Sequence, residues 1–347
     1  MRIVFLAPHL RVSGGVRILL TYASMLAGRG HEVTVYVLSN NPIRRFVANI
    51  FQIGLPRWIP SFRARVIRVS NMTAAHVSPA DVIIATTWQT ALSLAEFPRS
   101  HGRQYYLVQH DEGLYHGDRE TVNRALRLPQ QKIVVSTWLK DILKDSHQQD
   151  ASILINPVDT HLFHKMPRTA STDTVRILLL HHTYLWKGTA EGVAIIEKMK
   201  ERHPEVRFIL FGVRSKDNIP YAYNEYHYNL PQEELASLYS NTDIYLCPSW
   251  EEGFGLPSVE AMHCGAALVT YDNGGSRDYA IDGETAFVAP HRDQEALAAR
   301  LETAVTDSVL RKRIAAQGEH FVRHMPTWIE QTEELERNLQ FEAEYKK

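Results

Sequence analysis

Short β-rich runs alternate with amphipathic stretches from Arg2 to Ile155, give way to a polar segment, and resume at Val175. This rhythm, running twice, constrains the fold more than any other feature. In the first half the β-rich runs fall at 2–7, 31–38, 81–85, 104–109, 132–135 and 152–155, with helical patterns at 16–27, closed by Gly28, and at 136–145. In the second half strands are expected at 175–180, 206–211, 243–246 and 267–270. Helices are expected at 188–200, 231–239, from Pro257, and over a long C-terminal stretch from near Asp293. Strands alternating with helices predict parallel, doubly wound sheets. At 347 residues the chain is long for one core and comfortable for two. The expected organisation is a Rossmann-like domain over 1–160, a linker over 161–174 and a second such domain over 175–325. A final helical segment over 326–347 opens near Trp328. Two such domains would face each other across a cleft at the carboxyl ends of their strands.

The densest chemistry follows the expected strand at 243–246. Ser249-Trp250-Glu251-Glu252 forms a loop, Gly253-Phe254-Gly255 supplies backbone freedom, and Pro257 fits the first helical position, where its missing N–H costs nothing. Amides near Gly255, Leu256 and Ser258 would then leave the helix start toward phosphate or sugar oxygens. Glu252 stays in the loop and Glu260 lies one turn into the helix, so the two carboxylates can grip different hydroxyls of one elongated polar ligand. The competing reading is an acidic surface loop followed by a solvent-facing helix glutamate.

These residues resemble the paired-glutamate motif of the family 4 glycosyltransferases, which have the GT-B fold. The likeness continues through Ala261-Met262-His263-Cys264-Gly265, Asp272-Asn273-Gly274-Gly275-Ser276-Arg277-Asp278 and Asp282-Gly283-Glu284-Thr285-Ala286-Phe287-Val288. It implies that Glu252 meets the donor sugar and Glu260 the nucleotide ribose, that 175–325 is the donor-binding domain and 1–160 the acceptor side, and that the helix opening at Trp328 packs back on the first domain. Lys187-Gly188 resembles the family's Lys-Gly, whose lysine contacts the donor diphosphate. Many members also carry an arginine five or six residues before that lysine, where this chain has His181 and His182. Either His181 is charged beside the diphosphate, or the cation comes from elsewhere.

In the first half, Ser13-Gly14-Gly15 follows strand one and opens a helix, a place where amides can approach phosphate. With Gly30-His31-Glu32-Val33 it resembles the family's N-terminal pattern, and Arg17 stands where relatives often have an acidic residue. His110, followed by Asp111 and Glu112, ends the expected strand at 104–109; the resemblance implies that it touches the donor sugar. Asn156-Pro157-Val158-Asp159 resembles the family's Asn-Gly-Val-Asp at the domain junction, with a stiffer hinge.

No acidic residue occurs between Glu32 and Asp81, an interval holding Arg44, Arg45, Arg57, Arg63, Arg65 and Arg68 among Phe46, Ile50, Phe51, Trp58, Ile59 and Phe62. That mixture suits an anionic membrane surface or a lipid diphosphate carrier. It equally suits a helix packed on a sheet with arginines in water, since Pro56 and Pro60 interrupt any long helix. The formal net charge of −1 gives no global argument for nucleic acid. No apolar run approaches the ~18 residues of a membrane helix. Two cysteines, Cys247 and Cys264, in apolar surroundings point to a reducing compartment. The expected location is therefore cytoplasmic, with peripheral attachment at the inner face of the cell membrane.

The His161-Leu162-Phe163-His164 and His181-His182 runs lack further ligands at metal-site spacing, and no Asp-x-Asp occurs, so neither a metal nor any other cofactor is expected. The expected reaction is retaining transfer of a hexose or deoxyhexose from a nucleoside diphosphate to a glycan or lipid-linked acceptor, in bacterial surface polysaccharide synthesis. Two rivals remain: a nucleotide-sugar epimerase on the same fold, and a weakly catalytic donor-binding subunit of a polysaccharide assembly complex.

Overall fold

The computed structural model describes residues 1–11, 13–51, 59, 61–171, 173–214 and 219–344, with side chains through 340. Of the basic stretch, Pro56, Arg57, Trp58 and Pro60 lie outside the described residues. The chain divides into two compact units. Unit 1 comprises Met1–Asn156 and Trp328–Lys347, and unit 2 comprises Pro157–Thr327.

Unit 1 opens with β1 (Arg2–Ala7), α1 (Gly14–Gly28), β2 (Glu32–Leu38), α2 (Pro42–Phe51), β3 (Arg65–Val69), β4 (Val82–Ala85) and α3 (Trp88–Ala95). It continues with β5 (Arg103–Val108), α4 (Arg119–Leu126), β6 (Gln131–Val134), α5 (Thr137–His147) and β7 (Ala151–Ile153). The strands form one parallel sheet in the order β3-β2-β1-β4-β5-β6-β7. β1 is apolar almost throughout because helices cover both faces of a parallel sheet. Its Ile3, Phe5 and Leu6 are fully buried. The helices start where the sequence supplies a capping oxygen: Ser13 accepts from the Val16 amide and Ser136 from that of Leu139.

Unit 2 repeats the plan with β8 (Val175–Leu180), α6 (Thr189–Arg202), β9 (Val206–Gly212), β10 (Glu225–Tyr228), α7 (Gln232–Ser240), β11 (Ile244–Cys247), α8 (Leu256–His263), β12 (Ala267–Tyr271) and β13 (Phe287–Ala289). Its parallel order is β10-β9-β8-β11-β12-β13. The core packs Ile177, Leu179, Phe208, Leu210, Leu246 and Val269 of the sheet against Ile196, Leu301 and Ile314 of the helices. In each sheet the chain order reverses beside its first strand, between β1 and β4 and between β8 and β11. Ligands of doubly wound sheets bind at that switch point.

The long helix expected from near Asp293 is three helices: α9 (Gln294–Thr306), α10 (Ser308–Arg323) and α11 (Trp328–Glu344). Asp307 breaks the first from the second because its carboxylate caps the Leu310 amide. α11 belongs to unit 1, where Trp328 meets the Tyr22 ring edge-on at 5.1 Å and Arg29 and His31 hold Glu336 at 2.8 Å each. The described residues of 161–174 belong to unit 2 and are tied down there. Arg168 forks onto Asp243 at 2.7 and 2.8 Å, and the amides of Thr169 and Ala170 donate to the Asn241 side chain.

The described part of the basic stretch is divided between a helix and a strand. Arg44 and Arg45 lie on α2, while Arg65 and Arg68 lie on β3, whose edge is bonded through the Asn49 side chain to the Arg68 backbone at 2.7 and 2.9 Å. Ile43, Phe46, Ile50 and Phe51 of α2 remain more than half exposed. Among the described residues no helix is long and apolar enough to cross a membrane.

Candidate functional site

Unit 2 gathers its candidate residues at the carboxyl ends of β8 and β11. After β8 the chain passes His181 and His182 and makes a short turn, Leu185–Lys187, that ends in Gly188. Gly188 has φ +64°, and a Cβ there would lie 2.0 Å from the Pro248 carbonyl oxygen. Only glycine allows the two loops to approach this closely. Thr189 fixes the start of the turn by accepting from the His182 amide and donating to the His182 carbonyl, at 3.0 and 3.1 Å.

This approach carries Lys187 across to Glu252. The ammonium donates to both carboxylate oxygens, at 2.6 and 2.8 Å, and the side chains are only 21% and 13% exposed. Glu252 is held from behind. Its amide donates to the Asn273 carbonyl at 2.9 Å and its carbonyl accepts from Gly275 at 3.1 Å. A Cβ on Gly275 would strike the Phe254 backbone at 2.6 Å, so two loop backbones are in direct contact. A cavity of about 10 Å³, room for roughly one water, lies among Lys187, Cys247, Ser249, Glu252 and Ser258.

Gly255, with φ +95°, turns the chain into α8, and the Tyr279 hydroxyl anchors it by donating to the Phe254 carbonyl at 2.9 Å. The Phe254 ring is buried against Tyr279, and the whole residue is only 3% exposed. Two expectations change here. α8 begins at Leu256, one residue before Pro257, and the Ser258 amide is bound by the Gly255 carbonyl at 3.0 Å. Gly255 and Leu256 remain as the amides at the helix start. Glu260 is 2% exposed, not a solvent-facing helix residue, and the Tyr239 hydroxyl lies 3.5 Å from its carboxylate.

His181 is buried beside the rings of Tyr221 and Tyr226. Burial and then the Arg214 charge hold its pKa below the ordinary histidine value. His182 is pushed down to about 4 by burial and the Lys187 ammonium. Both shifts favour the neutral ring over a charged one. Arg214, just past β9, was missed in the sequence because it sits in no motif; its position after a strand-ending glycine was the available signal. Cys247 and Cys264 are both buried free thiols.

Gly14, Gly15 and His110 lie in unit 1. Gly14 and Gly15 open α1 beyond the Ser13 cap, and a Cβ on Gly15 would meet the Gln109 amide at 3.2 Å. The loops after β1 and β5 thus come together. The His110 Nδ1–H donates to the Asp111 carbonyl at 3.0 Å. Beside it, Glu112 accepts from the Trp88 amide at 2.8 Å and the Tyr106 hydroxyl at 2.9 Å, and burial raises its pKa to about 7. Among the described residues no three His, Cys, Asp or Glu side chains gather as a metal-ligand set.

Residues 12–162 match the family model described as Glycosyltransferase Family 4, and residues 166–321 that described as Glycosyl transferases group 1. The gpi3 subunit of phosphatidylinositol N-acetylglucosaminyltransferase from Schizosaccharomyces pombe is 28% identical over 54% of this chain and 42% of its own length. The uncharacterized glycosyltransferase YqgM of Bacillus subtilis is 25% identical over 57% of this chain and 58% of its own. The chain thus spans about half the length of these curated relatives. Sucrose-phosphate synthase from Thermosynechococcus elongatus superposes with a TM-score of 0.79 at 17% identity, covering 99% of both chains. Anabaena HepE in complex with UDP-glucose gives 0.76 at 16%, covering 98% of this chain and 99% of that one. At such identities the structural likeness speaks for the fold.

Proposed function

Because this chain belongs to the family 4 glycosyltransferases of GT-B fold, we propose that it moves a hexose or deoxyhexose from a nucleoside diphosphate to a hydroxyl of a glycan or lipid-linked acceptor. The observation that carries the proposal is the Lys187–Glu252 ion pair at the switch point of unit 2. It sets a cation where a diphosphate would lie and a carboxylate where sugar hydroxyls would lie. The Phe254–Leu256 backbone borders the sugar, Glu260 binds the ribose, and the Gly14 and Gly15 amides with His110 serve the donor from unit 1. HepE bound to UDP-glucose gives a precedent for a nucleotide-sugar donor on this fold.

Transfer with retention breaks the bond between the anomeric carbon and the leaving phosphate oxygen and forms the acceptor bond on the same face. The acceptor proton goes to the departing phosphate oxygen. Charge then builds on the diphosphate, and fixed cations and amides are worth most where charge develops. We read this charge as met by protein groups, since the sequence has no Asp-x-Asp for a metal-bound diphosphate. The exposed Ile43, Phe46, Ile50 and Phe51 with Arg44 support a lipid-linked acceptor at an anionic surface. Surface polysaccharide synthesis in a bacterial cytoplasm is the setting we propose.

The test begins with thermal shifts over a panel of nucleoside diphosphate sugars, where a ligand at a hundred times its Kd stabilises by about 2.7 kcal/mol. With the donor known, Glu252→Ala and Lys187→Ala should each lower turnover by roughly tenfold or more while the chain stays folded. Turnover like wild type in both variants sinks the assignment. Donor converted without any acceptor would reveal an epimerase, and donor bound without turnover on any acceptor would reveal a binding subunit.

A further inference from the structure

Resting on that reading of unit 2, we propose that Arg214, at the end of β9, supplies positive charge that binds the donor diphosphate. Lys187 is engaged by both oxygens of Glu252, so the pair as a whole is neutral. Burial is the largest cause lowering the pKa of both His181 and His182, and in each the Arg214 charge acts in the same direction. A departing diphosphate carries more than one negative charge and needs more than one cation or dipole to meet it.

Arg214 reaches this place through the end of β9. The His181 amide donates to the Phe211 carbonyl at 2.7 Å, extending the strand pairing by one residue. A Cβ on Gly212 would lie 2.7 Å from the His181 carbonyl oxygen, so glycine lets the chain leave β9 across the backbone of the histidine loop. The Tyr226 hydroxyl then donates to the Arg214 carbonyl at 2.6 Å and fixes the turn. The guanidinium lies over the loop, with Nη2 3.4 Å from the Thr183 hydroxyl. Its side chain is exposed, and among the described residues no carboxylate pairs with it. Within residues 181–189, 212–214 and 248–255 it is the one cation that is not already neutralised by a described partner.

The position also accounts for the histidines. A second guanidinium at 181 would sit beside Arg214 and be repelled, whereas a buried neutral ring between Tyr221 and Tyr226 tolerates it. The charge has moved from one strand end to the next, while the anion it serves is the same. Arginine suits that task because its planar fork can hold two phosphate oxygens at once.

The experiment measures affinity by calorimetry for UDP, GDP, ADP and TDP and for the matching monophosphates. Arg214→Gln is expected to weaken the preferred nucleoside diphosphate about tenfold or more, to leave its monophosphate within about twofold, and to lower transfer rate in parallel. Arg214→Lys is expected to keep most of the affinity, and the exposed site makes either variant safe for folding. Unchanged diphosphate affinity in Arg214→Gln overturns this inference alone. So does an equal loss for diphosphate and monophosphate, or a loss in Arg214→Lys as large as that in Arg214→Gln. A wild-type chain that binds none of the four diphosphates overturns the glycosyltransferase reading along with it.

Discussion

Separating Lys187 from Glu252 should cost stability in a way that only their direct contact explains. Ion pairs on the open surface contribute about 0–1 kcal/mol, and removing one partner of a fully buried pair costs about 3–5 kcal/mol. With side chains 21% and 13% exposed and both carboxylate oxygens engaged, this pair lies between those limits. Lys187→Met or Glu252→Gln alone should therefore destabilise unit 2 by about 1–3 kcal/mol. The double variant should lose about 1 kcal/mol or more less than the sum, because neither group is then left charged and alone. Urea unfolding followed by the fluorescence of Trp186 and Trp250, which flank the pair in sequence, reads all four proteins. Strict additivity would falsify the contact as an energetic unit. The pair also restrains Lys187, so Glu252→Gln should tighten binding of free nucleoside diphosphate several-fold while slowing transfer. Weaker diphosphate binding in that variant would show that Glu252 places the lysine for the anion and does not compete with it.

Glu112 has a carboxyl near 7 in the fold, raised by burial from 4.5; between those values the folded chain holds a proton the unfolded chain has lost. Stability of unit 1 should therefore fall as pH rises from about 4.5 to 7 and level off above, and Glu112→Gln should remove that decline in denaturation midpoints taken at pH 5 and 8. His182 behaves oppositely: its ring stays neutral down to about 4, while the unfolded chain takes up a proton below 6.5. Unit 2 should lose stability as pH drops through that window, and a His182→Gln variant with the same acid sensitivity as wild type would refute the cause. Gly188→Ala combines a left-handed backbone with a Cβ 2.0 Å from the Pro248 oxygen. It should destabilise by about 2–5 kcal/mol and lower turnover, and a melting temperature within a degree of wild type would contradict the close approach.

The strands at 2–7, 175–180 and 206–211 were legible to within a residue because parallel strands covered on both faces read as continuous apolar runs. β10, with Glu225, His227 and an exposed Tyr228, was not, because an edge strand need not be apolar. α4 was missed for a related reason: only Val122, Ala125 and Leu126 are buried among eight residues. In the site, Glu252 and Lys187 could each be singled out from local spacing. Their contact could not, since it joins positions 65 residues apart through the adjacency of β8 and β11 and the missing side chain of Gly188. The charge state of His181 was equally hidden, because it depends on burial and on an arginine from the neighbouring strand.

The helix that carries Trp328 gives the chain an unusual order of assembly. Unit 2 is an insertion, entered after Asn156 and left before Trp328, within a unit 1 that is discontinuous in sequence. During synthesis the inserted part can emerge and fold completely while Tyr22, Met25 and Tyr105 still await Trp328, Thr332 and Asn338. The first-made part of the protein is thus the last to be finished. A stop codon near residue 327 would spare the Lys187–Glu252 ion pair and leave the amino-terminal half with an uncovered apolar flank, so premature termination should be felt first as aggregation of unit 1.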